Sequence, residues 1–122
     1  MKNEKTKVEQ VAGLLFMSRD AGHLAHLKTP SYSKHMALNS FYDELIELAD
    51  EFIEVSQGAF GILDITIYDN KANIEKPAEM LEYHLKQLKS AAKDCEIGAL
   101  KNIMDEIEGL YLRTIYKVRY LS

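Results

Sequence analysis

The sequence predicts an all-α fold, a four-helix bundle with one long crossover between helices two and three. Three observations predict it. Apolar residues recur at steps of three and four in four separate segments, Pro and Gly punctuate the gaps, and those gaps run short, long, short. At 122 residues the chain fits one domain spanning 1–122, long enough to bury a core without covalent staples.

The first helix is expected over about 4–27, with Val8, Val11, Ala12, Leu15 and Phe16 as its apolar members and a second half that turns polar and small. Lys28-Thr29-Pro30 breaks it, and Thr29 followed by Pro30 reads as the cap and first-turn residue of helix two. That helix, over about 30–56, carries Leu38, Phe41, Leu45, Leu48, Phe52 and Val55 on one stripe and stops at Gly58. From Gly58 to Lys76 the chain reads as a crossover. Ile62 to Tyr68 is β-branched and partly alternating, but a lone strand would have no partner in an otherwise helical chain. Pro77 opens helix three, over about 77–94, with Leu81, His84, Leu85, Leu88 and Ala92 on one stripe. Helix four, over about 97–121, presents Leu100, Ile103, Ile107, Leu110, Ile115, Val118 and Leu121 to the core. Two short links flanking one long link make the ferritin-like wiring of a four-helix bundle.

Bulk composition excludes several functions. The net charge of -4, with 28% charged residues, argues against a generic pull toward nucleic acid or anionic membrane. Cys95 is the sole cysteine, which excludes an internal disulfide and a cysteine-based zinc site. No apolar run approaches the roughly 20 residues of a spanning helix, and the start lacks the apolar block of a signal peptide, so a cytoplasmic location is expected.

Five side chains stand out as candidate metal ligands: His23, His35, Asn39, Asp50 and Glu54. The last four fall within an arc of about 100° on helix two, nearly opposite its apolar stripe. At about 1.5 Å of rise per residue, the His35/Asn39 pair lies roughly 16 Å along the axis from the Asp50/Glu54 pair, too far for one metal centre. Two copies set antiparallel across a twofold axis would bring the histidine end of each to the carboxylate end of the other. His23, near the end of helix one, can join His35 from the same subunit. Two imidazoles and several oxygens without thiolate suit iron, manganese or zinc, and the oxygen-rich set favours iron because carboxylates stabilise the ferric state.

The stretch from His23 through His35 and Asn39 to Asp50, Glu54 and Gly58 resembles the Dps family of mini-ferritins. The resemblance implies a ferroxidase site between twofold-related subunits, with iron held by His23, His35 and Asn39 of one chain and by Asp50 and Glu54 of the other. It also implies a homo-oligomer built through a helix-two interface, up to a dodecamer. Two positions depart from that pattern: Leu24 stands where tryptophan is common, and Asn39 supplies a neutral oxygen in place of an acidic residue. No long lysine-rich tail is present, so DNA binding is not expected.

Other titratable residues read as structural. His26 lies one turn after His23 outside the motif, and His84 sits on an apolar stripe as a core histidine bonded to a carbonyl. Asp43, Glu44, Glu47 and Glu51 form a solvated acidic face. No Glu-x-x-His motif occurs, which excludes the usual intrasubunit di-iron centre. Two function classes follow: a ferrous-iron oxidising and storing protein, and a helical bundle without ferroxidase activity that serves structure or assembly.

Overall fold

A computed structural model describes residues 2–69 and 73–121. It contains four helices: α1 (Lys2–Lys28), α2 (Tyr32–Phe60), α3 (Pro77–Ala92) and α4 (Gly98–Tyr120). The expected class therefore holds, an all-α four-helix bundle with a long connection between α2 and α3. Residues 70–72 of the crossover lie outside the described residues.

Two cross-links set the helix directions. Lys7 Nζ reaches Asp94 at 2.7 Å, joining the start of α1 to the segment just after α3, and Ser33 Oγ donates to the Leu121 carbonyl at 3.3 Å, joining the start of α2 to the end of α4. Hence α1 and α4 run one way while α2 and α3 run the other. Each helix packs on two antiparallel neighbours, α1 on α2 and α3, and α4 on α2 and α3. The connection must then travel the length of the bundle to start α3 at the far end.

The core follows from helical spacing. Val8, Val11, Ala12, Leu15, Ala21 and Ala25 of α1 are buried, as are Leu38, Phe41, Leu45 and Phe52 of α2, and fully burying a side chain such as Phe41 contributes about 1.5–3 kcal/mol. Leu48, Val55 and Phe16, expected in the core, are only half-buried, and Leu121 lies beyond the end of α4 with 45% of its surface exposed. The small residues of the second half of α1 have a packing reason. A Cβ added at Gly22 would lie 2.8 Å from the Phe41 ring, so α1 must be bare there to let the α2 aromatic in.

Two helix ends differ from expectation. Ser31, not Thr29, caps α2, its hydroxyl accepting from Lys34 N–H at 3.3 Å, while Thr29 Oγ1 accepts the Ser31 N–H one step earlier. Helix α2 also runs past Gly58 to Phe60. It stops at Gly61, whose φ of 86° is the conformation a glycine takes without strain and whose N–H bonds the Gln57 carbonyl.

From Leu63 to Asp69 the crossover has no regular secondary structure. It is held by side chains: Gln57 Oε1 accepts Leu63 N–H at 3.2 Å and Glu9 Oε2 accepts Asp64 N–H at 2.6 Å. Further on it lies in a notch at Gly13, where an added Cβ would come within 2.5 Å of the Thr66 carbonyl oxygen and 2.6 Å of the Tyr68 ring. Among the described residues no helix is long and apolar enough to cross a membrane.

Candidate functional site

The five sequence-derived candidates divide into two groups. Asp50 and Glu54 are exposed on the outer face of α2. His35 and Asn39 turn instead toward the α1/α2 seam, because their part of the α2 arc is flanked by the end of α1, from which His23 meets them. His23 stacks on Tyr42 with ring centroids 4.2 Å apart, and Asn39 Oδ1 accepts the Tyr42 hydroxyl proton at 2.8 Å. Arg19 places its guanidinium 5.2 Å from the same Tyr42 ring.

His26 stands between the two candidate histidines, 6.0 Å from the His23 ring and 3.6 Å from that of His35. It is buried, and it forms a reciprocal pair with His35. His26 Nδ1 donates to the His35 carbonyl at 2.7 Å, and His35 Nδ1 donates to the His26 carbonyl at 2.9 Å. The reason lies in the chain. The helical partner of the His26 carbonyl would be the N–H of the fourth residue on, and that residue is Pro30, which has none. His35 supplies the missing donor across the turn. With Nδ1 as the donor, the neutral form of each ring has its lone pair on Nε2.

Within one chain these residues do not assemble a cation site: no group of three or more His, Cys, Asp or Glu among the described residues could hold a metal ion. The roughly 16 Å of helix axis between Asn39 and Asp50 remains the barrier.

Elsewhere, sequence reasoning missed a polar network in the core. Tyr111 of α4 donates its hydroxyl to Ser18 Oγ of α1 at 2.5 Å, and Ser18 lies 2.8 Å from His84 Nδ1 of α3. The Ser18 hydroxyl, with one proton and two lone pairs, can take the Tyr111 proton and still either donate to or accept from His84 Nδ1. The partner expected for His84 was a carbonyl; the structure supplies a hydroxyl from another helix. Burial pushes the His84 imidazole down to about 4, so it is neutral at physiological pH, and burial also raises the Tyr111 phenol. No motif signals this triad, because its members lie 66 and 93 residues apart.

His84 also lines a cleft of about 1070 Å³ between α1, α3 and the crossover. Leu14 and Met17 of α1, Met80 of α3 and Tyr68 of the crossover supply apolar wall. Gln87, one turn beyond His84, lines it too, and its Oε1 atom is buried with no hydrogen-bond partner among the described residues.

The outer face of α2 is strongly polarised. Asp43, Glu44, Glu47, Asp50, Glu51 and Glu54 are all exposed, and no Lys or Arg occurs between His35 and Phe60. Among the described residues only Glu44 of these has an ion-pair partner, Arg113 at 3.6 Å. The start of the helix is different, with Tyr32 76% and Met36 45% exposed beside Lys34, and with exposed Leu24 and Leu27 on the adjoining turns of α1.

Comparison with known proteins corrects the resemblance drawn from the His23–Gly58 stretch. The chain is 29% identical over 112 residues to the "Uncharacterized 14.6 kDa protein in mobD-ri intergenic region" of Enterobacteria phage T4, covering 91% of this chain and 87% of that protein. No solved structure matches. A family model matches residues 26–118, and it is not that of the mini-ferritins: five polar residues at ligand spacing are too few to carry membership when the stretch from α2 to α4 aligns elsewhere. The chain belongs to DUF5856, a family of unknown function.

Proposed function

We propose that the chain is a small helical assembly protein that pairs with a second copy of itself through the outward face of α2. The observation that carries this reading is the segregation along that face: exposed apolar groups (Tyr32, Met36) occupy its start, and carboxylates without an ion-pair partner among the described residues (Asp50, Glu51, Glu54) occupy its far end. An antiparallel pair seats the apolar start of each helix beside the other copy's far end and keeps the two carboxylate ends apart. Near the axis, Arg113 already neutralises Glu44. Exposed apolar side chains gathered beside charge of one sign are the ordinary composition of such a contact.

Sedimentation velocity between micromolar and several hundred micromolar protein tests this. The expected result is a reversible, concentration-dependent dimer. Met36→Ser with Tyr32→Ser should shift it at least tenfold toward monomer at unchanged helical circular dichroism. A wild-type protein that stays monomeric throughout removes the reading.

A second reading places a metal at that same twofold contact: ferrous iron bound between His23, His35 and Asn39 of one copy and Asp50 and Glu54 of the other, and oxidised there with hydrogen peroxide or dioxygen accepting the electrons. It is supported by the protonated Nδ1 of His35, since an imidazole that gives one N–H to a carbonyl has its other nitrogen ready as a ligand. Anaerobic calorimetric titration with ferrous salt tests it. Saturable binding should be lost in Asp50→Asn with Glu54→Gln, and heat that is equal in the two proteins counts against it.

A further inference from the structure

We infer that α4 carries a self-association face of its own: its outward stripe pairs antiparallel with the same stripe of another copy, crossing at Gly109, with Glu106 of each copy against Arg113 of the other. The stripe is distinct from the outward face of α2, and the inference does not rest on the pairing proposed there.

Helical spacing defines the stripe. Ile107, Tyr111, Thr114 and Val118 are buried, so the opposite arc, at about 100° per residue, holds Asn102, Asp105, Gly109, Leu112, Tyr116 and Tyr120. Leu112, Tyr116 and Tyr120 are each more than half exposed, and the two tyrosine rings lie 6.2 Å apart. Packing on α2 and α3 leaves this apolar run uncovered.

Three features name a second copy as its occupant. The first is the order of charge. Asp105 and Glu106 precede Gly109, Arg113 and Lys117 follow it, and all four are exposed. Such a helix complements itself only when reversed. Glu106 lies three residues before Gly109 and Arg113 four after it, so at about 1.5 Å of rise per residue an antiparallel crossing brings Glu106 within about 2 Å of the axial height of the other copy's Arg113. Both lean to the same flank of the stripe, the one beside α2, which a twofold axis sets against its equivalent. The second feature is that these charges are available. Among the described residues Asp105, Glu106 and Lys117 form no ion pair, and Arg113 approaches Glu44 only to 3.6 Å.

The third is Gly109 itself. Glycine is a poor helix former in mid-helix, and this chain does not need the space, because the nearest atom to an added Cβ is the tip of the flexible Arg113 side chain at 3.2 Å. Gly13 and Gly22 admit the crossover and the Phe41 ring; Gly109 offers the same bare backbone to a neighbour outside the chain. In this register Tyr116 meets the other copy's Asn102, and Tyr120 covers its Gly98, where an added Cβ would touch nothing within 4 Å. One helix face buries little area, so the contact is weak, with an expected Kd on the order of 1 mM.

Disulfide trapping tests the register. The full chain carries Cys95→Ser and one new cysteine, and is oxidised with diamide. A disulfide needs Cα atoms within about 7 Å, which position 109 meets at the twofold axis, whereas two copies of position 102 stand about 21 Å apart. Gly109→Cys should therefore cross-link at least tenfold faster than Asn102→Cys, although Asn102 is the more exposed. In the Gly109→Cys protein, Glu106→Arg or Arg113→Glu alone should slow cross-linking at least threefold, and the two together should restore it. Tyr32→Ser with Met36→Ser, which weakens α2 pairing, should leave the rate within about twofold, so the two contacts fail separately. In the otherwise native chain, Gly109→Leu should keep or raise the unfolding midpoint while removing the concentration-dependent NMR shifts at Leu112 and Tyr116. Equal trapping at positions 102 and 109, no restoration by the double charge reversal, or loss of trapping with the α2 substitutions overturns the inference.

Discussion

His26 and His35 clasp each other across the α1/α2 turn, each donating Nδ1–H to the other's backbone carbonyl with the rings stacked 3.6 Å apart. The pair ends α1 and fixes where α2 begins. Removing the His35 ring leaves the His26 carbonyl, already deprived of a helical donor by Pro30, without its partner. His35→Ala should therefore destabilise the fold by about 1–3 kcal/mol in urea unfolding, whereas Glu54→Ala on the exposed face should change it by less than about 0.5 kcal/mol. Equal effects of the two would mean that the clasp contributes nothing to stability.

Acid should weaken the fold through His84. Its imidazole titrates near 4 when folded, because burial opposes the charge, and near 6.5 when unfolded. Between those values the unfolded chain binds the extra proton. The stabilisation is thus complete above about pH 6.5 and is lost as the pH falls toward about 4, by up to ~3 kcal/mol. Urea titrations from pH 7.5 to 4 measure the slope. His84→Gln should flatten it, and an unchanged slope in that variant would assign the pH dependence to other groups.

Gly13 is where the crossover touches α1. Alanine is ordinarily the better helix former by roughly 1 kcal/mol, yet here its Cβ would meet backbone at Thr66, not a yielding side-chain tip. Gly13→Ala should give a net loss of about 1–2 kcal/mol, with faster amide exchange at Asp64 as the crossover lifts from Glu9. A net gain in stability would show that the crossover moves aside freely.

The α1/α2 seam gives a parallel case. At Gly22 the obstacle is the fully buried Phe41 ring, which itself packs edge-on against Tyr111 at 4.9 Å. Gly22→Val should cost about 1–3 kcal/mol by thermal or urea unfolding, and Phe41→Leu should relieve part of that cost in the double variant. Simple additivity of the two would place the strain elsewhere.

The sequence by itself determined the four helices, their order and the long crossover, because these rest on local rules: a 3.6-residue apolar period and Pro77 at a helix start. It also determined that Asp50 and Glu54 face outward, since both sit opposite Leu45 and Phe52 on one regular helix. Family membership was not legible in the few residues of the His23–Gly58 stretch, which carried spacing but not the scaffold. The tertiary structure alone decided which polar groups meet. It drew His35 and Asn39 into the seam with α1, and it gave the orphaned His26 carbonyl a donor from α2. It also assembled Ser18, His84 and Tyr111 from three helices and placed His84 beside Gln87 in the wall of a cleft. Such contacts join residues far apart in the chain, and their partners follow from how helices pack and where Gly13 and Gly22 permit close approach, which no local period encodes.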